Sequence, residues 1–504
     1  MARLTLLVAA LPVIAGPNGY LRPPITPTHF DHQRLLVMAS LLAVILLLAV
    51  IPAVRRPVGA AVTRIPSWAW LALGLFFSLG LLSAALSPSR GAAFLEWGNF
   101  LLALVAVLAV AGARRSLGGE GDYWLLAPIV AGVTLYVGNF LAIYIPTIPV
   151  PWATIFWSSP FYHFNNVRFL NQFQSWTLPL LAAAVLLAGP RSRALQGLLA
   201  LVGGFWWALL FATGGRGALI AALLSSLLVL LVFRERARRW AGATLVLVGL
   251  GGILYILLFY LPGNIPGLER AVDRSGSLDH ARLQLWADAL KVALAHPLLG
   301  VGPMQLAHHP VIASHPHDLL LQILAEWGLP AGLAAVALVF GGVLAWSRRW
   351  QGWEASLGSG PPGWTEAVPP ALTASLLAGL GHGMVSGVAV MPMSQAMAVL
   401  VVGWIMGVHQ GTWKEPDSLG TPRGGYGRGW PLAALGLCGA VAVTPGLTSS
   451  LPHLRQATES YKRQQQGKRF HPRFWLQGDL CLPPWAAPAD GRACTTDKQA
   501  EADR

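Results

Sequence analysis

An all-α polytopic membrane protein, with about 12–13 transmembrane helices and a long outward loop carrying an amphipathic helix, is predicted by three features of the sequence. Its 504 residues are 55% hydrophobic and only 11% charged, with a mean hydropathy of +0.56. A soluble domain carries about a quarter charged residues. Leu/Ala/Val/Gly runs of roughly twenty residues, the span a bilayer helix needs, recur along the whole length. Membrane β-barrels show alternating segments of about ten residues instead. The third feature is charge placement. The formal charge is +14, but the basic residues cluster between apolar runs, so they report orientation first and no nucleic-acid partner is expected.

Candidate spans fall near 4–16, 35–54, 67–86, 93–112, 123–145, 174–189, 196–214, 217–233, 241–262, 318–346, 368–390, 393–409 and 430–449. Arg55, Arg56 and Arg64, then Arg114 and Arg115, Arg191 and Arg193, "RERARR" at 234–239, Arg348 and Arg349, and Lys414, Arg423 and Arg428 occupy every second loop. The positive-inside rule makes these loops, and the N-terminus with Arg3, cytoplasmic. The first span is short and ends in small residues, a pattern shared by cleaved signal peptides. The chain divides into N-terminal helices (1–145), a central region (146–346) with outward loops 146–173 and 263–316, C-terminal helices (347–449) and a polar, outward tail (450–504).

Cys438 lies in an apolar run, where a thiol acts as a small hydrophobe. Cys481 and Cys494 lie in the tail; an oxidising compartment would allow them a disulfide closing a short loop, and two free thiols is the equal alternative.

The two long outward loops hold the candidate chemistry. Loop 146–173 and the start of the next span read "WATIFWSSPFYHFNNVRFLNQFQSW", aromatics and amides around a single Arg168. Most of these aromatics fit an interfacial belt. The amides Asn165, Asn166, Asn171, Gln172 and Gln174 suit sugar hydroxyls. Loop 263–316 contains "SLDHARLQLWADALKVALAHPLLGVGP". Leu283, Trp286, Leu290 and Leu294 follow helical spacing, and Pro297, Gly300 and Gly302 end the pattern, so an amphipathic surface helix is expected.

Arg216 sits in the glycine-rich turn "FATGGRGALIA" between two spans. A guanidinium fork at such a turn matches phosphate oxygens, and snorkelling to headgroups is the bland alternative. His315 and His317 precede the run "DLLLQILAEWGLPAG", in which Asp318, Gln322 and Glu326 share one helix face. Histidine suits proton transfer near neutral pH. With His308 and His309 a zinc site is conceivable, but the spacing is not that of a metal motif, so proton transfer ranks above it and no metal is expected.

Three stretches together resemble the O-antigen ligase superfamily. "HDLLLQILAEWGLPAG" resembles its His-Asn-x-x-Leu-Gln-x-x-x-Glu-x-Gly segment, "ATGGRGALIAALLSSLLVLLV" its small-Arg-Gly turn, and "RLQLWADALKVALAHPLLGVGP" its periplasmic Arg-x-x-x-Trp helix. Order, spacing and expected side agree over roughly 160–345. The resemblance implies an inner-membrane glycosyltransferase, without cofactor, moving a glycan from an undecaprenyl diphosphate carrier to an acceptor on the periplasmic side. It implies His317 as catalytic base and Arg216 and Arg282 as diphosphate ligands; beside them the sequence itself offers His315, Asp318, Glu326, Arg168 and Asn171 as weaker candidates. The acceptor could be lipid A core, a protein or another glycan, the last two making the chain a protein O-oligosaccharyltransferase or a polymerase.

Two departures stand out. Asp318 replaces the usual Asn, placing a negative charge beside the expected base, and the thirteenth span with its outward tail exceeds the usual twelve-helix plan. A transporter or flippase is the competing class, relying on Glu96, Asn99, His382 and Glu326 within spans. A purely structural membrane protein would need none of these residues for activity.

Overall fold

A computed structural model describes the chain apart from residues 20–24, 149–160, 190–191, 264–277, 309–313, 353–362, 412–424, 465–472 and 477–504. Cys481, Cys494 and His309 fall outside the described residues, as do the side chains of His308 and Tyr162. Every regular element among the described residues is helical.

The first six helices are α1 (Ala2–Ala15), α2 (His29–Val50), α3 (Pro52–Val62), α4 (Ser67–Leu86), α5 (Arg90–Leu117) and α6 (Glu120–Tyr144). There follow α7 (Val167–Ala188), α8 (Arg193–Thr213), α9 (Arg216–Phe233), α10 (Arg238–Tyr255), α11 (Leu278–Ala295) and α12 (Leu319–Trp327). The last five are α13 (Leu329–Gly352), α14 (Trp364–Gly383), α15 (Pro392–Gln410), α16 (Gly425–Ser450) and α17 (Leu454–Gln464).

Among the described residues, nine stretches are long and apolar enough to cross a membrane. One of them, Arg216–Tyr260, has 45 residues. As a single helix it would run ~68 Å, over twice the hydrocarbon thickness. The basic turn Arg234–Ala237, with Arg234 at φ 48°, divides it into α9 and α10. Leucines stay bare on the outside, with Leu71 75%, Leu231 63% and Leu245 71% exposed. Such surface is costly in water and costs nothing against lipid.

Helix α5 sits at the centre, packed against α1, α3, α4, α15 and α16. Glycine lets the neighbours close in. A Cβ at position 112 would lie 2.8 Å from the backbone of Pro57, and one at 403 would lie 2.8 Å from the carbonyl of Val107. Close backbone approach at small residues is how helices associate where lipid removes the hydrophobic drive. Helix α1 is part of this packing, since Leu6, Ala10 and Val13 are fully buried. Helix α2 stops at Val50 because the residue before Pro52 is held out of the helical region, and Pro52 then opens α3.

The structure corrects three expectations. The span over 318–346 is two helices: Gly328 at φ +87° ends α12 after nine residues, ~14 Å and too short to cross. The break is held from outside. Val301 N–H donates to the carbonyl of Ala325, Gly302 N–H to Glu326 and Leu329 N–H to Pro297, at 2.9, 3.0 and 2.7 Å. Residues 297–302 therefore cap the last turn of α12. Gly300 and Gly302 have φ +65° and +110°, and a Cβ at 300 would lie 2.3 Å from the Glu326 backbone. The span over 368–390 ends at Gly383, followed by a 3-10 turn at Val388–Val390.

The third correction concerns the tail, which is not simply an outward polar extension. Arg473, Phe474, Trp475 and Leu476 are each at most 3% exposed. The Arg473 guanidinium donates to both Glu96 oxygens at 2.8 and 2.7 Å and also to Glu326. With its amide oxygen turned toward Arg473, Gln322 accepts two more bonds at 3.0 and 2.9 Å. Arg34 Nε donates to the Phe474 carbonyl at 3.0 Å, and Asp31 accepts from the Leu476 N–H at 2.9 Å. Three apolar side chains and an arginine paired with two buried carboxylates explain why four tail residues enter the bundle.

Candidate functional site

The site is built around the turn between α8 and α9. Gly214 takes the left-handed conformation (φ 62°) that ends α8, and Arg216 opens α9, its side chain exposed. The turn rests on α7. Asn171 Nδ2 donates to Thr213 Oγ1 at 2.8 Å and to Gln174 Oε1 at 2.9 Å, and a Cβ at Gly215 would lie 2.7 Å from the Asn171 carboxamide. Gln174 Nε2 donates to the Trp206 carbonyl at 2.8 Å.

These contacts correct the reading of Asn171 and Gln174 as sugar-binding groups. Asn171 and Gln174 are spent on joining α7 to α8. Asn166 caps α7 through the Arg168 N–H at 2.9 Å, and Asn165 accepts from the Phe30 N–H at 2.7 Å. Gln172 donates to Ser386 Oγ at 2.6 Å, tying α7 to the connection after α14. Asn171 thus positions the Arg216 turn from behind, and Arg168 is half-buried in the first turn of α7.

His315 and His317 come to the same end of the bundle. Their rings meet edge to face, with centroids 4.2 Å apart, and the His317 N–H donates to His315 Nδ1 at 3.3 Å. His315 is 2% exposed and packs on Gly387, where a Cβ would lie 2.3 Å from its ring. His317 is half-buried and has φ +56°, the left-handed region that L-residues other than Asn, Asp and His seldom adopt. Holding it there costs about 1–2 kcal/mol, which the surrounding contacts must offset.

Asp318 has a plain structural role. It is the N-cap of α12, its Oδ1 accepting from the Leu321 N–H at 2.8 Å. Asn and Asp cap helices about equally well, so the replacement of Asn by Asp preserves the cap. Burial raises the Asp318 carboxyl above the ordinary carboxylate range, opposed in part by the N–H groups of Leu321 and Leu320. Glu326, the last polar residue of this face, points away into the ionic cluster with Arg473 and also accepts from the Leu306 N–H at 3.2 Å.

A helix, α11, lies where the amphipathic helix of loop 263–316 is expected. Leu283, Leu290 and Leu294 are 58%, 46% and 72% exposed, whereas Leu285 and Ala289 are buried against the protein. An apolar stripe left open beside a bundle with a lipid-facing rim is the signature of a helix lying at the interface. Arg282, in its first part, is half-buried.

His382 links the pieces. A Cβ on Gly217, next to Arg216, would lie 3.1 Å from its ring, and its Nδ1 is 2.7 Å from Ser175 Oγ on α7. The next residue, Gly383, faces Leu319 of α12. The end of α14 and the segment to Gly387 thus join the Arg216 turn and the His315–His317 pair. In the sequence His382 stands out only as a polar residue within a span, of use to a transporter. Ser175, Ser386 and Gly387 carried no signal of their own.

Residues 198–336, which include Arg216, Arg282 and His317, match the family described as O-Antigen ligase. Over 160 residues the chain is 33% identical to an O-antigen ligase of Pseudomonas aeruginosa, a match covering 30% of this chain and 34% of that protein. The chain therefore spans about a third of the length of the curated relative it matches.

Proposed function

We propose, from the match of residues 198–336 to the O-antigen ligase family, that this chain is a glycosyltransferase working on lipid-linked donors. It moves a glycan from an undecaprenyl diphosphate carrier to an acceptor hydroxyl at the periplasmic face of the bacterial inner membrane. The observation that carries this reading is the approach of the Arg216 turn and the His315–His317 pair to the end of α14 and the segment after it, within the region that matches the ligase family.

In this reading the acceptor oxygen attacks the anomeric carbon and gives its proton to His317. The bond from that carbon to the diphosphate oxygen breaks, and the electron pair leaves with the diphosphate. Arg216 and Arg282 neutralise the charge that develops there, a role that needs no metal. Direct displacement from the face opposite the diphosphate inverts the anomeric carbon. The open apolar stripe of α11 would lie along the polyprenyl chain, carrying Arg282 to the headgroup.

The acceptor class, lipid A core, protein or another glycan, is a matter for the assay. Glycan transfer by His317→Ala and Arg216→Ala variants at normal membrane abundance tests the proposal. Loss of transfer in both, with activity of the wild type unaffected by EDTA, is expected; full activity in either variant overturns it. For the transporter alternative the same variants would be tolerated while changes at Glu96 or His382 abolish activity. Glu96 and Glu326 are held by Arg473 in a buried ionic cluster, which favours a structural use of these carboxylates.

A further inference from the structure

We infer that Arg473 is a positioning residue for the His315–His317 pair, and that tail residues Arg473–Leu476 form the strap that holds the pair in place. The consequence for transfer rests on the ligase reading above; the strap itself rests on geometry alone.

The pair has a support on either side. On one side, His317 leads directly into α12 through its cap, Asp318, and Asp318, Gln322 and Glu326 share a face of that helix. Arg473 grips this face. Its guanidinium donates to Glu326 and, with the amide turned as above, to Gln322. The same guanidinium donates to Glu96 of α5, so one side chain ties α12 to the central helix of the bundle. On the other side, His315 packs on Gly387, and Gly387 opens the turn Val388–Val390, whose Val390 N–H returns to the Gly387 carbonyl at 3.2 Å. Arg34 holds that turn. It donates to the Val390 carbonyl and to Gln395 Oε1, and Gln395 Nε2 donates in its turn to the Ala389 carbonyl at 2.7 Å.

The tail joins the two supports. Arg34 Nε donates to the Phe474 carbonyl at 3.0 Å, and its Cζ lies 4.8 Å from the Phe474 ring centroid. Leu476 is buried in one apolar cluster with Phe30, Val390 and Met391, while its N–H donates to Asp31. The Arg473 side chain thus holds the α12 side, and Phe474 and Leu476 hold the Gly387 side. A tight turn keeps these holds together, the Arg473 N–H donating to the Trp475 carbonyl at 3.0 Å. Between the supports His317 sits at φ +56°, a backbone that persists only while its surroundings fix it. Releasing the strap frees α12 to shift against Gly387, and a displacement of ~1 Å at a catalytic base slows a reaction by up to about 100-fold.

Arg473→Ala alone strands buried carboxylates, so the test combines Arg473→Gln with Glu96→Gln and Glu326→Gln, which removes the charges of the cluster together. The probe is diethyl pyrocarbonate, which acylates neutral imidazole, applied to the full-length protein in nanodiscs and read by mass spectrometry at His315 and His317. His315 is 2% exposed and should react slowly in the wild type. In the triple variant, unfolding should stay close to wild type while labelling of His315 rises severalfold. The kcat for transfer from an undecaprenyl diphosphate-linked glycan should fall about tenfold or more, with the donor KM changed by less than about twofold. Arg34→Lys keeps the charge and loses the fork, so it should raise the labelling less, and it carries the test if the triple variant does not accumulate. Wild-type protection of His315 in a folded variant overturns the inference, as does raised labelling with unchanged kcat. A wild-type chain that transfers no glycan overturns the ligase reading alone, because the labelling needs no substrate.

Discussion

Two buried arginine–carboxylate clusters sit near opposite ends of α5, anchored by Arg114 and Glu96, ~27 Å apart along the helix axis. At the end with the basic loops, Arg114 binds Asp122 through two bonds of 2.8 Å across eight residues of sequence. Asp122 also accepts from the indoles of Trp364 and Trp404, at 2.7 and 2.5 Å. The charges balance and both acid oxygens are filled. At the other end a single guanidinium, Arg473, serves Glu96 and Glu326, which lie 377 and 147 residues away in sequence. The first cluster closes a helix hairpin locally. The second fastens a distant piece of tail to the back of α12, the helix that His317 precedes. The same chemistry thus performs a local joint at one end and a long-range clamp at the end that holds the candidate site.

The sharpest way to break this comparison is Arg473→Ala. It strands two buried carboxylates, and a loss of about 3–5 kcal/mol or more is expected in thermal or denaturant unfolding of the purified protein. Adding Glu96→Gln and Glu326→Gln should recover much of that loss, because the stranded charges are then gone. If Arg473→Ala costs less than Asp122→Asn, the clamp is not what the geometry implies.

His317→Asn separates chemistry from holding. Asn tolerates the left-handed backbone at this position, so unfolding should not change, while glycan transfer falls by about 100-fold or more with loss of the base. Asp122→Asn comes next, at about 3 kcal/mol, since it leaves the buried Arg114 guanidinium without its counter-charge and presents a donor where an indole already donates. Its effect on transfer per folded molecule should be negligible, in contrast with His317→Asn.

Asp318→Asn is the smallest change. The cap is kept, so the stability difference at neutral pH should be about 0.5 kcal/mol or less. Its sign follows from the raised carboxyl of Asp318. The folded state holds that proton more tightly than the unfolded state does. The contribution is therefore fully present below the unfolded carboxylate range and is lost as pH rises through the folded value. The Asn variant should match or slightly exceed the wild type at neutral pH, and its relative advantage should shrink toward acid pH. Unfolding measured across that range checks it.

Much of the candidate site was legible because its signals are local. A histidine before an amphipathic run, an arginine between glycines and a helix with an apolar stripe are patterns within ten to twenty residues. The roles of their neighbours were not. Asp318 read as a charge beside the base, and the structure makes it a helix cap. Gly300 and Gly302 read as the end of a helix pattern, and they form the turn that caps α12 and ends it before it can span. Asn171 and Gln174 read as sugar-facing amides, yet their hydrogen bonds are consumed between α7 and α8.

The sequence by itself determined that this is a bundle of membrane helices, where its basic loops fall, and which three stretches carry the family's pattern. Hydropathy and helical periodicity are set by nearest neighbours along the chain, so a single strand of text records them. Only the tertiary structure decided which polar groups meet. That Arg473 would cross to Glu96 and Glu326, or that His382 would stand between Ser175 and the Arg216 turn, depends on how the helices pack. A charge in sequence announces the need for a partner in a low-dielectric interior without saying where that partner lies.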